Sequence, residues 1–189
     1  MKAAVDLFAA VYENDLASFR RASTAQLAVV DEHRRSVLFC AVLEGRFEIV
    51  AHLIARGAEV DPRRGAKPLL AAVMRNRPRE AKLLIRKGAA ISNARDKDGD
   101  PLLVTAAFRE STAVLRVLLA HPHTVADTSL ALLEAAGVGN LAICKLLLRH
   151  DANPAWRSSK GNSALSIARK KRKSDVVALL TAHLARGSR

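Results

Sequence analysis

The feature that most constrains this chain is that it repeats itself. Four stretches align end to end: SVLFCAVLEGRFEIVAHLIARGAEV (36–60), KPLLAAVMRNRPREAKLLIRKGAAI (67–91), DPLLVTAAFRESTAVLRVLLAHPHTV (100–125) and LALLEAAGVGNLAICKLLLRHDANP (130–154). A fifth copy is SALSIARKKRKSDVVALLTAHLA (163–185), and LFAAVYENDLASFRRAS (7–23) is a degenerate first one. One leucine column runs through Leu7, Leu38, Leu69, Leu102, Leu132 and Leu165. A column of small residues follows three positions later, at Ala10, Ala41, Ala72, Thr105, Ala135 and Ala168. A second aliphatic column holds Leu53, Leu84, Leu118, Leu147 and Leu180, and the copy beginning at Asp100 needs a one-residue insertion near Glu110–Thr112 to keep both columns. Self-similarity at a period of about 20–50 residues marks an array of one small structural unit.

Each copy has the same internal plan. A first apolar-periodic segment of about two turns is followed, after a short polar break, by a second. Leu38, Ala41 and Val42, then Ile49, Val50, Leu53 and Ile54, fall at helical spacing and give each helix one buried face. Ser36, Asp100 and Ser163 stand where a helix N-cap belongs. Pro68 and Pro101 stand at the first helical position, where a missing N–H costs nothing. Gly57 and Gly88 close second helices, where a left-handed residue is wanted. Small residues between the two helices let them approach closely. A hairpin this short cannot bury its own apolar face, so it must stack on the next.

A helix–turn–helix unit of about 33 residues with a T-P-L-H-x-A-like start is the ankyrin pattern, and the chain resembles that family. The start is seen in Ser36-Val37-Leu38-Phe39-Cys40-Ala41, Lys67-Pro68-Leu69-Leu70-Ala71-Ala72 and Asp100-Pro101-Leu102; the end in Gly57-Ala58-Glu59-Val60-Asp61, Gly88-Ala89-Ala90-Ile91 and Asp151-Ala152-Asn153-Pro154. Asp96-Lys97-Asp98-Gly99 and Ser159-Lys160-Gly161-Asn162 are similar to the family's β-turn finger. The chain departs from the pattern in lacking the start-motif histidine, and the copy at 130–154 also lacks its proline. The resemblance implies an all-α ankyrin-repeat solenoid with β-turn fingers, one domain over residues 1–189, in copies of about 2–31, 32–63, 64–96, 97–126, 127–159 and 160–186. Another α-solenoid of helix pairs is the alternative fold.

The resemblance also implies protein recognition by the fingers (about 59–66, 92–100, 124–130 and 153–162) and by inner helices on a concave face. Carried onto this sequence, Leu43, Met74, Phe108 and Val138 occupy nearly the same place in successive copies. They either line one apolar strip on that face or are buried between repeats by helix rotation; Met74 and Phe108 are the two favoured for partner contact. Arg75, Lys170 and Lys171 join them on the inner helices, and Arg63 and Arg64 on a finger.

Charge speaks to partners. The 189 residues carry 31 Lys/Arg against 18 Asp/Glu, a net of +13. Residues 1–62 hold seven basic and nine acidic residues, a net of −2, which leaves +15 for residues 63–189. Within 63–95, ten basic residues face only Glu80. So lopsided a field predicts an acidic protein partner. Arg169-Lys170-Lys171-Arg172-Lys173 is the densest run; it reads as a polar cap at a helix C-terminus or as a nuclear-import or phosphate-binding patch. Phosphate contact in a ribonucleoprotein is the alternative function, although no aromatic interleaving or nucleic-acid-binding signature accompanies the charge.

Catalytic signals are weak. Asp96-Lys97-Asp98-Gly99-Asp100 opens like a calcium loop, but Ala107 stands where the bidentate Glu should be. His121 and His123 flank Pro122 with no third ligand nearby in sequence. Cys144 takes the core place of Val50, and Cys40 is read as partly buried. The expectation is therefore a non-enzymatic scaffold without cofactor or metal, monomeric on its own. No apolar run reaches membrane-span length and no signal pattern opens the chain, so an intracellular, cytoplasmic or nuclear place is expected.

Overall fold

In the computed structural model, which describes residues 6–92, 94–96 and 98–187 (side chains to 185), the chain is helical and forms no β-sheet among the described residues. It falls into two compact units, Met1–Arg95 and Asp96–Arg189. In the first, α1 (Leu7–Glu13), α4 (Val37–Leu43) and α6 (Pro68–Met74) pack side by side as an inner layer. Behind them lie α2 (Leu16–Arg21), α5 (Phe47–Ala55) and α7 (Pro78–Arg86), with the one-turn α3 (Thr24–Leu27) after α2. In the second unit the inner layer is α8 (Leu102–Phe108), α10 (Val125–Val138) and α12 (Ala164–Lys170). Its outer helices are α9 (Thr112–Leu119), α11 (Leu141–Leu148) and α13 (Ser174–Gly187). Most of these helices are seven to nine residues long, too short to persist alone in water. Their stability comes from burying Ala, Leu, Val and Ile against neighbouring hairpins.

One backbone device repeats in every hairpin and fixes the register. The inner helix ends at a left-handed residue: Asn14, Gly45, Asn76, Glu110, Gly139 and Arg172. The next residue then donates its backbone N–H to a carbonyl one turn back: Asp15 to Ala10, Arg46 to Ala41, Arg77 to Ala72, Ser111 to Ala106, Asn140 to Ala135 and Lys173 to Ala168, all at 2.8–3.1 Å. The small column is thus alanine in all six hairpins, and every member is buried. Ala106, not Thr105, belongs in it, and Leu103, not Leu102, in the leucine column. No insertion is needed near Glu110–Thr112, because the turn between α8 and α9 matches those between α4 and α5 and between α6 and α7. The extra residues lie earlier: Ala89 to Gly99 is three residues longer than the corresponding Ala58 to Gly65.

Other sequence expectations shift for local reasons. Ser36 and Ser163 cap α4 and α12 through side-chain oxygens, and Pro68 opens α6 at its first position. Pro101, however, is the extended N-cap of α8 rather than its first residue, and Asp100 belongs to the finger before it. Residues 124–130 form no finger. Thr124 caps α10 by accepting from the Asp127 backbone N–H and donates its hydroxyl to the Asp127 carboxylate, and the helix then runs through the whole segment. With no glycine in that segment to turn the chain, an early start to the helix satisfies the backbone instead.

Three of the fingers that form share one design, and the second keeps only its left-handed turn residue. Asp31 Oδ1 accepts the backbone N–H groups of His33 and Arg35, and Asp96 Oδ1 accepts those of Asp98 and Asp100. Ser158 Oγ accepts that of Asn162. Arg34, Gly65, Gly99 and Gly161 take the left-handed position of these loops, and Val30 pairs with Ser36 across the first. The expected finger at Asp96–Gly99 is therefore present, with Lys97 outside the described residues.

Candidate functional site

The left-handed residue that ends each inner helix also defines which side chains share a position on the inner face. Two places before it stand Tyr12, Leu43 and Met74 in the first unit, and Phe108, Gly137 and Lys170 in the second. Met74 is 38% exposed, Phe108 57% and Tyr12 54%; Leu43 is half-buried. Large apolar side chains are thus left in water at a recurring position of the repeat. Val138 is half-buried one place further on, in the column of Arg75, Arg109 and Lys171, so Gly137 takes the position expected for it. The glycine leaves a notch of about 280 Å³ lined by Phe108, Leu133, Glu134, Val138, Ile167 and Lys171. A Cβ on Gly137 would come within 3.2 Å of the Ile167 side chain. Burial pushes the Glu134 carboxyl up, and the nearby charge of Asp100 adds to the effect.

Tyr12 escapes a reading based on the four best copies, yet it is legible in the leucine column: it follows Leu7 by five residues, as Leu43 follows Leu38 and Met74 follows Leu69.

The basic residues divide into structural and free ones. Lys67 pairs with Asp61 at 2.7 Å. The guanidinium of Arg79 lies 4.1 Å from the centroid of the Phe47 ring, a cation–π contact between outer helices. Arg77 packs directly over Gly45. Arg63, Arg64, Arg75, Lys82, Arg86 and Lys87 remain exposed, as do Arg169, Lys170, Lys171 and Arg172 at the end of α12 and in the turn after it. Lys173 is half-buried because its aliphatic stem lies over Gly139. These basic groups do not form one patch; they are distributed over both units, on fingers, turns and outer helices.

No catalytic centre assembles from the remaining candidates. Both cysteines are buried, Cys40 fully rather than partly, and burial pushes both thiols up, Cys144 to about 12. Thiols held so strongly in the protonated form are poor nucleophiles. His123 Nδ1 donates to the His121 carbonyl oxygen at 2.7 Å, and the ring meets the His150 ring edge-on at 6.0 Å. Among the described residues no three His, Cys, Asp or Glu side chains are placed to hold a metal ion, and no helix is long and apolar enough to cross a membrane.

Stacked helical hairpins with β-turn fingers, joined by the same left-handed turn each time, define a helical-repeat protein. The sequence pattern for ankyrin repeats matches residues 38–130 as three copies. Over 97 residues, half of this chain, it is 37% identical to an ankyrin repeat-containing protein of Treponema pallidum (strain Nichols), of which the match covers 32%. The crystal structure of the ankyrin repeat protein EF0377 superposes with a TM-score of 0.80 over 93% of this chain and 96% of that one, at 24% identity. Residues 38–130 belong to the ankyrin-repeat family, and nearly the whole chain has the ankyrin-repeat fold. Ankyrin repeats are protein–protein interaction modules, and the family is typically a non-catalytic scaffold.

Proposed function

We propose that this protein is an adaptor whose inner-helix faces bind an acidic partner protein. The observation that carries the reading is the exposure of Met74 and Phe108 at one shared position of the repeat. Two large apolar side chains standing in water at that position serve as anchors for a partner. Leu43, half-buried, holds the same repeat position in the first unit, and Val138 lines the notch with Phe108 in the second. Arg75, Lys170 and Lys171 beside them, with Arg63 and Arg64 on the second finger, add positive charge that speeds encounter with an acidic surface and disfavours cationic competitors.

Affinity purification of wild-type and Phe108→Asp protein from cells that express it, with mass spectrometry, tests the surface. The main partner is lost with Phe108→Asp while the circular dichroism spectrum is unchanged. A partner retained at the wild-type level sinks the proposal. A salt titration tests the electrostatic part: affinity that stays constant from low to high ionic strength refutes the acidic partner. The exposed, unpaired run Arg169–Arg172 supports one rival, a phosphate-binding role in a ribonucleoprotein. Retention of generic RNA on a filter at physiological salt, abolished by replacing that run with alanine, decides for the rival.

A further inference from the structure

A second recessed surface lies beside the first two fingers of the first unit, at the start of α4. It is a pocket of about 250 Å³ bounded by α3, the first two fingers and the end of α5. Its apolar lining comes from Leu27, Val30, Leu38 and Pro62. Leu38 is buried beneath, whereas Val30 stands 57% exposed at the edge. The volume falls below the roughly 300–1,000 Å³ of small-molecule sites and suits one inserted side chain.

Three arginines surround this apolar floor: Arg34, Arg56 and Arg64. Two neighbouring carboxylates are already engaged. Asp31 is bound by Arg35 at 2.6 Å, and Asp61 by Lys67 at 2.7 Å. Burial would raise the Asp31 carboxyl, but the backbone N–H and guanidinium of Arg35 outweigh it and hold Asp31 below the usual range. Glu59 alone contributes a carboxylate to the lining. Arg56 spends one N–H on the Ala22 carbonyl at 3.2 Å, while Arg34 and Arg64 are exposed and pair with no carboxylate among the described residues. Apolar depth with an uncompensated cationic rim is complementary to an apolar side chain flanked by carboxylates.

We propose that this pocket takes an apolar side chain from an acidic peptide segment of the partner, whose flanking carboxylates lie on Arg34, Arg56 and Arg64. The inference rests on the reading of an acidic protein partner and places a second contact on it, between the fingers. Gly65 is part of the construction. It has φ +96°, and a Cβ there would come within 2.6 Å of the Arg34 carbonyl oxygen. The Ala66 N–H donates to that same carbonyl at 3.3 Å, tying the second finger to the first.

The test is a nuclear magnetic resonance titration of the ¹⁵N-labelled full chain with acetyl-Glu-Glu-Leu-Glu-Glu-amide. Two control peptides replace the leucine by serine or all four glutamates by lysine. The acidic leucine peptide shifts the amides of Leu27, Val30, Leu38 and Ala58. The serine peptide and the Arg34→Glu/Arg64→Glu double variant each weaken binding by about tenfold or more, the scale of a 1.4 kcal/mol loss. Ala28→Trp, a filling change at an exposed lining position, abolishes the shifts while the rest of the spectrum holds. Equal binding of the lysine peptide, shifts centred elsewhere, undiminished binding by the double variant, or no binding of the acidic leucine peptide overturns the proposal. If the pocket fails in this way while partner capture stays sensitive to salt and to Phe108→Asp, the pocket alone is wrong; salt-insensitive capture removes the acidic-partner reading beneath it.

Discussion

Arg46 reaches back across the hairpin boundary to Tyr12: its Nη2 donates to the Tyr12 carbonyl oxygen at 2.7 Å, and its Nε to the Val11 carbonyl oxygen at 3.1 Å. These are carbonyls of the last turn of α1, where donors run short, although that of Val11 also accepts the Asn14 N–H at 3.2 Å. The same position is used again down the chain. Arg77 lies over Gly45, Asn140 donates to the Glu110 carboxylate at 2.7 Å, and Lys173 lies over Gly139. The residue before α5, α7, α11 and α13 thus meets the turn of the preceding hairpin. Removing the guanidinium in Arg46→Ala takes one donor from each carbonyl, that of Val11 being half-sheltered and keeping the Asn14 N–H. Charge-assisted bonds of this kind are worth about 1.5–3 kcal/mol, so the variant should unfold at lower urea. Its amide exchange should rise in α1 and α2 before the second unit responds. Uniform exchange throughout the chain would show that Arg46 is not the tie.

The glycines give a second, graded prediction. Gly57 and Gly88 have φ +83° and +99° with open space around the missing Cβ, so alanine there meets only the left-handed penalty of about 1 kcal/mol. Gly65 faces the Arg34 backbone oxygen, which cannot swing aside as a side chain can. Gly65→Ala should therefore cost roughly 1–3 kcal/mol more than Gly57→Ala, the range for overpacking. Thermal denaturation of the three variants checks the order, and equal losses would mean that the second finger simply moves away.

The architecture was legible in the sequence because stacking leaves a periodic trace: leucine and alanine recur wherever a helix must approach its neighbours. Register was less legible. Thr105 and Ala106 are both small, and Leu102 and Leu103 are both buried, so composition could not say which pair held the column; the left-handed turn at Glu110 does. Residues 124–130 misled because a finger was expected by position, whereas Thr124 and Asp127 cap a helix there. Of the inner-face residues, Met74 and Phe108 stand where the pattern placed them, while Val138 is displaced by Gly137. The pocket by Arg34, Arg56 and Arg64 was beyond reach, since it is made by residues from two fingers and a helix end whose nearness depends on the stacking itself.

Cys144 carries a prediction about pH. Its folded-state thiol titrates near 12, against 9.0 for the free group, because ionising it would bury a thiolate among apolar neighbours. A folded pKa above the unfolded one means that stability is fully present below pH 9 and is lost as pH climbs toward 12. Cys40 shifts in the same direction, chiefly by burial, with Asp31 and Glu44 adding and Arg35 opposing. Cys144→Val, the residue found at the matching Val50, should therefore flatten the alkaline decline without abolishing it. At pH 8 the native chain should resist a thiol reagent that labels the urea-unfolded chain at once. Fast labelling of Cys144 in the native protein would contradict the burial.

Glu134 works in the same sense at the acid end, and on the inner face. Its carboxyl is raised by burial and then by the charge of Asp100, so the folded protein resists its ionisation more than the unfolded chain does. The charged form destabilises the fold: stability is greatest below the ordinary carboxylate range and declines as pH rises through the raised folded value. Glu134→Gln keeps the shape and removes the charge. It should leave the melting temperature unchanged near pH 3, where both side chains are neutral, and raise it at pH 7. Its effect on partner affinity separates two roles for the notch beside Phe108. If the partner brings a cation to Glu134, binding weakens even as the protein becomes more stable; if only acidic groups approach, binding strengthens. A variant less stable than wild type at pH 7 would show that the carboxylate has a compensating partner in the folded protein.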